Sequence, residues 1–161
     1  MFNSPEQALS FAFRVRQYDV LSVPSAMYNS KQAHSTNREE RLSQYDLHAQ
    51  SGLIFSWLSR RPFDEQIYAF LIHGNNVERR TAALLFARQS KAMLKKFGLS
   101  NYALRQAILG GTVREVSADS GLSHYRAWKF RRELAGFLLP IQDRLMSAMY
   151  DELIDLSHTA S

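Results

Sequence analysis

The stretch whose residue types could do chemistry is residues 112–134, TVREVSADSGLSHYRAWKFRREL. Thr112 and Glu115 have capping-box spacing, so a helix is expected from Val113, with Val113 and Val116 facing inward. Gly121 arrives eight residues later, Leu122 is apolar, and Ser123 can cap a second helix that turns Ala127, Phe130 and Leu134 to one side. This is the layout of a helix-turn-helix, two helices crossing steeply within a three- or four-residue turn. Such a crossing needs a residue tolerant of positive φ (Gly121), a small residue where the helices touch (Ser117) and an apolar residue that pins the turn (Leu122).

The outward side of the second helix would carry Ser123, His124, Tyr125, Arg126, Trp128, Lys129, Arg131 and Arg132. Donors, aromatics and cations of this kind reach base edges and phosphates when a helix lies in a major groove. Residues 123–126 are the expected base contacts, and Arg131 and Arg132 the expected phosphate clamps. Trp128 has two readings: it packs against a base or sugar, or against a neighbouring helix. The plainer reading of the whole segment is an αα-hairpin with a basic, solvated face.

The charge pattern bears on that choice. The chain has 161 residues and a formal net charge of +5. Residues 79–132 hold twelve basic and two acidic side chains, whereas residues 133–161 hold one basic and five acidic ones. A basic block in an otherwise near-neutral chain is the electrostatic footprint of a nucleic-acid binder. Arg79, Arg80, Arg88, Lys91, Lys95, Lys96, Arg105 and Arg114 are therefore candidates for phosphate or RNA contact. The acidic segment should face away from phosphate or meet a protein, with Asp143, Asp151, Glu152 and Asp155 on a helix over residues 141–156.

The elements that must position these residues read as helix after helix. Ser4 caps a first helix through residue 17, with Pro5 at its first position and Leu9, Ala12 and Phe13 on one face. Residues 18–42 show no sustained period and read as a loop or arm. Ser43 starts a helix striped by Leu47, Ile54, Trp57 and Leu58, and a short helix with Ile67, Phe70 and Leu71 ends before Gly74. Asn76 is the expected cap of a long helix carrying Ala83, Leu84, Phe86, Ala87, Met93, Leu94 and Phe97, stopped by Gly98. Ser100 starts another, ending at Gly110-Gly111. No segment alternates like a strand. The expectation is an all-α, compact multi-helix domain: a basic helical body over residues 43–111, joined to a C-terminal helix-turn-helix that is followed by a further helix.

Composition narrows the classes. With 45% hydrophobic and 22% charged residues the chain is of ordinary globular make-up. It has no cysteine, which excludes a disulfide scaffold, a zinc ribbon, an iron–sulfur site and a thiol nucleophile, and suits a reducing compartment. No apolar run approaches the ~18 residues of a membrane span, and the first residues do not resemble a signal peptide, so a cytoplasmic location is expected. His34, His48, His73, His124 and His158 are scattered without ligand spacing, and Gly110-Gly111 is not followed by the Lys-Ser/Thr of a phosphate-binding loop. The acidic pairs Glu39-Glu40 and Asp64-Glu65 fit helix N-termini. No acid–base constellation emerges, so no metal, cofactor or enzymatic chemistry is expected.

The order of these parts resembles the Q-type late-gene transcription antiterminators of lambdoid phages, in particular the AlpA-like branch found in lysis cassettes. The likeness covers roughly residues 40–155. It is carried by LSQYDLHAQSGLIFSWLSRR, with Asp46, Ala49 and Leu53-Ile54 in place, and by GGTVREVSADSGLSHYRAWKFRRELAGFLLPIQDRLMSAMYDEL. The resemblance implies a protein that binds double-stranded DNA near a promoter and loads onto RNA polymerase while sigma factor is attached. There it would sit at the RNA exit channel, beside nascent RNA, and keep terminator hairpins from forming. The alternative is a conventional helix-turn-helix regulator or a phage DNA-packaging recognition subunit. A homodimer, or two copies on DNA, would use Phe137, Leu138, Leu139, Ile141, Leu145 and Met149 as its apolar stripe.

Overall fold

Helix α1, Pro5–Val20, is the first element of the computed structural model, which describes residues 2–20 and 44–154. Every regular element among the described residues is helical. The chain divides into two units after Arg60, inside the span expected to form one basic body.

The first unit pairs α1 with α2, Gln44–Leu58. The Ser4 hydroxyl accepts the Gln7 amide at 3.3 Å, and the Gln7 side chain accepts the Asn3 amide at 3.1 Å, so the first turn is tied from both directions. Ala8, Leu9, Ala12 and Phe13 are buried, as are Ile54, Trp57 and Leu58. Phe13 meets Phe55 with ring centroids 5.0 Å apart, and the buried Ser51 hydroxyl donates to the Ala12 carbonyl at 3.1 Å. The helix runs three residues past the expected end at 17, so residues 18–20 are helical rather than loop. Residues 21–42, and Ser43 as a cap, lie outside the described residues.

The second unit begins with α3, Phe63–His73, and α4, Asn76–Gln89, packed on each other. The cap of α4 is Asn75, one residue earlier than expected. Its side chain accepts from the amides of Val77 and Glu78, and Glu78 accepts the Asn75 amide at 2.9 Å. Capping from Asn76 would put Arg79 at the position where a carboxylate has to reach back. The expected long helix also breaks. Ser90, at φ −95° and ψ 25°, ends α4, and α5, Lys91–Phe97, sets off afresh. Across the break Phe97 meets Phe130 edge-on at 5.4 Å. Gly98 closes α5 in the left-handed region, as expected. Then α6, Asn101–Ile108, is capped by Ser100 and packs on α4.

Two helices complete the unit: α7, Val113–Ser120, and α8, His124–Met149, followed by a π-helical turn over Tyr150–Ile154. The further helix expected after residue 134 is not separate. The 26 residues of α8 run through Gly136 and Pro140 without a break. Ala127, Phe130, Leu134, Ile141, Leu145 and Met149 form one buried stripe along it. Ile141, Leu145 and Met149 are therefore part of the core, not a free stripe for a second copy.

Glu65, on α3, is the charged member of this core at 1% exposure. Arg61 Nε meets its Oε2 at 2.8 Å, and Arg144 Nε, from α8, meets its Oε1 at 3.4 Å. Arg144 also pairs with Asp64 at 2.5 Å, and Arg61 with Glu152 at 3.1 Å. One buried carboxylate thus joins the start of α3, the second half of α8 and the closing π turn. Removing it strands two guanidinium groups that can still turn toward water. We expect Glu65→Ala to cost about 2 kcal/mol and Asp64→Ala, at the exposed rim, under ~1 kcal/mol. Urea denaturation of the two variants checks this ordering; equal losses would remove Glu65 from its central place.

Candidate nucleic-acid interface

The geometry between α7 and α8 grows from residues 112–123. Thr112 Oγ1 accepts the Glu115 amide at 3.2 Å while Glu115 Oε2 accepts the Thr112 amide at 2.6 Å, completing the capping box. Those bonds, the backbone one foremost, hold the Glu115 carboxyl below its ordinary range, with a smaller pull from the Arg131 charge. A carboxyl shifted down in the folded state supports the fold at every pH above its ordinary range. That support fades only as pH falls through the lowered value, so the box is intact at neutral pH.

The turn itself is held by serines. Gly121, at φ +70°, ends α7 with its amide on the Ser117 carbonyl at 3.0 Å. Leu122 is buried at 9% exposure, and a buried backbone must find partners. Its amide donates to Ser120 Oγ at 3.3 Å and its carbonyl accepts from Ser117 Oγ at 2.6 Å. Ser120 Oγ in turn donates to the Val116 carbonyl. Ser117 is therefore more than a small residue at a contact, and Ser120, which sequence reasoning passed over, shares its task. Ser123 Oγ accepts the Arg126 amide and opens α8.

From there the helical period sorts the side chains. On an ideal helix of about 100° per residue, Tyr125, Trp128, Lys129 and Arg132 fall opposite the buried stripe. They are exposed, as are Ser123, His124 and Arg126, while Arg131 is half-buried. Tyr125 is 68% exposed and Trp128 45% exposed, so neither ring is packed inside the molecule. Their rings stack on each other, centroids 6.1 Å apart and planes 27° apart, and the Arg132 guanidinium lies 5.6 Å from the Trp128 ring centre.

The other basic candidates divide. Arg80, Arg88, Lys91, Lys95 and Arg114 are exposed. Arg79 donates to the Leu71 carbonyl at 3.0 Å, and Arg105 to the Asn101 carbonyl at 3.3 Å. Lys96 is held by Glu133 at 2.8 and 3.0 Å. Glu133 itself was not legible as part of the site, because its partner lies 37 residues away in the chain. Of the acidic residues expected to meet a protein, Asp143, Asp151 and Glu152 are exposed and Asp155 lies outside the described residues. No family model, curated protein or solved structure matches the chain.

Only conformation opposes a side chain at Gly121, since a Cβ there meets nothing within 4 Å. We expect Gly121→Ala to cost about 1 kcal/mol and Gly121→Asn less, because asparagine tolerates the left-handed region. Thermal or chemical denaturation of both variants measures this, and an alanine variant as stable as the parent would refute the strained corner.

Proposed function

We propose that this chain is a sequence-specific DNA-binding transcription antitermination factor in which α7 and α8 work as a helix-turn-helix. The observation that carries the DNA-binding part is the first two turns of α8. Tyr125, Arg126 and Lys129 stand in solvent while Ala127 and Phe130, on the opposite side of the same two turns, are fully buried. A helix anchored on one side and cationic on the other is what a major groove accepts. In this reading residues 123–126 read bases, and Arg131 and Arg132 grip phosphates.

The antitermination part rests on the resemblance in the order of parts. The protein would act in the cytoplasm, load onto RNA polymerase with sigma factor attached, and narrow the RNA exit channel by steric and electrostatic means, without covalent chemistry. Arg80, Arg88, Lys91, Lys95 and Arg114 are exposed cations that would face nascent RNA. A dimeric regulator of the usual kind is less well supported, because Ile141, Leu145 and Met149 are already buried.

If about four cations contact phosphates, duplex affinity should fall roughly 100-fold between about 50 and 200 mM salt. Arg126→Ala or Lys129→Ala should each remove about 1–3 kcal/mol of specific binding. Footprinting across a salt series tests both, and salt-indifferent binding would reject every nucleic-acid reading. Antitermination has its own assay, in vitro transcription through a terminator placed far downstream. Added protein should raise read-through on templates that carry its site; lowered initiation with unchanged read-through would mark a repressor instead.

A further inference from the structure

The Tyr125–Trp128 pair is poorly suited to reading closed base pairs. Paired bases offer only their edges to a protein in the groove, as donors, acceptors and the thymine methyl group. An indole has one donor and no acceptor, so a tryptophan recognises edges badly. What the pair offers is flat, stacked ring surface in large part exposed to solvent, with the Arg132 guanidinium over the Trp128 ring. Such a surface has its natural complement in the face of an unpaired base, which is covered by its neighbours in an intact duplex but available in a melted one.

The surroundings match that ligand. Tyr125, Trp128, Lys129, Arg132 and Glu133 line one groove of about 430 Å³. Lys129 and Arg132 supply positive charge beside the rings, where the backbone of a splayed nucleotide would run. Glu133 is the carboxylate in that lining, and Lys96 holds it at 2.8 Å, so its charge is answered within the protein.

We infer that the Tyr125–Trp128 face of α8 stacks an unpaired nucleobase, so that the protein prefers DNA with a melted segment to a closed duplex of the same sequence. This rests on the DNA-binding reading above and adds to it the state of the DNA that is bound. Ser123, His124 and Arg126 still meet paired bases, and Tyr125 with Trp128 takes the base that has left the helix.

The test compares two dye-labelled probes with the full chain at fixed salt: a duplex of mixed sequence, and the same duplex with a central mismatched bubble. The bubble should bind about tenfold more tightly, the gain expected of one base stacked on an aromatic ring. Trp128→Ala should bring that ratio to near one, and Trp128→Phe should keep most of it. Arg126→Ala should weaken both probes alike and leave the ratio intact. Intrinsic fluorescence gives a second readout. Trp57, the other tryptophan, is 4% exposed, so quenching by the bubble reports on Trp128. Equal affinity for the two probes, with duplex binding still dependent on Arg126, would overturn the stacking inference and leave the DNA-binding reading standing. A ratio that survives Trp128→Ala would overturn it as well. Absent binding to both probes would remove the reading and the inference together.

Discussion

Glu65 sits almost out of reach of water, where a lone carboxylate would cost several kcal/mol. It is tolerated because Arg61 and Arg144 bring their guanidinium groups to its two oxygens. That pairing constrains far more than α3. Arg144 belongs to α8, so meeting Glu65 fixes the rotation of α8 about its own axis, and Leu145 and Met149 then turn inward beside it. Because α8 is continuous, fixing its second half fixes the azimuth of its first. The face that carries Tyr125, Lys129 and Arg132 is thus directed outward by an ion pair some four turns away.

This transmission depends on the helix surviving Gly136 and Pro140. A proline inside a helix lacks the donor for the carbonyl four residues earlier, here that of Gly136, and its ring crowds the same carbonyl. Both residues are exposed, so the freed carbonyl has access to water. Ile141 and Leu145 on one side of the proline, and Phe130 and Leu134 on the other, remain on a single buried stripe. Burial of that stripe outweighs the lost bond, whereas glycine and proline four residues apart read, in sequence, like the end of one helix and the start of the next.

What was legible in the sequence was local. Caps such as Ser100, the Thr112–Glu115 box, Ser123, and the left-handed stops at Gly98 and Gly121 act over three or four residues, and each is where its spacing put it. The exposed face of α8 was legible for the same reason, since it follows from helical period alone. The Asn75 box was equally visible in the Asn-x-x-Glu spacing and was misplaced by one residue. The break at Ser90 carried no such signal, because serine is acceptable within a helix, and the partners it brings together, Phe97 and Phe130, lie far apart in the chain. The same holds for Glu65 with Arg144 and for Lys96 with Glu133, 79 and 37 residues apart.

Those distant pairs change the electrostatics of the basic block. Counted in sequence, residues 79–132 are strongly positive and are followed at once by Glu133. In space, Glu133 is bound to Lys96 and Glu115 is hydrogen-bonded within its own capping box, so neither carboxylate projects freely toward a polyanion. Lys96 is paired in the exchange, whereas Arg79 keeps its charge with its Nε held by the Leu71 carbonyl. The cations that remain beside the aromatic pair are Arg126, Lys129 and Arg132, all exposed. At physiological salt a charge is felt over about 8 Å, so what matters to an approaching phosphate is this local set and not the net charge of the chain.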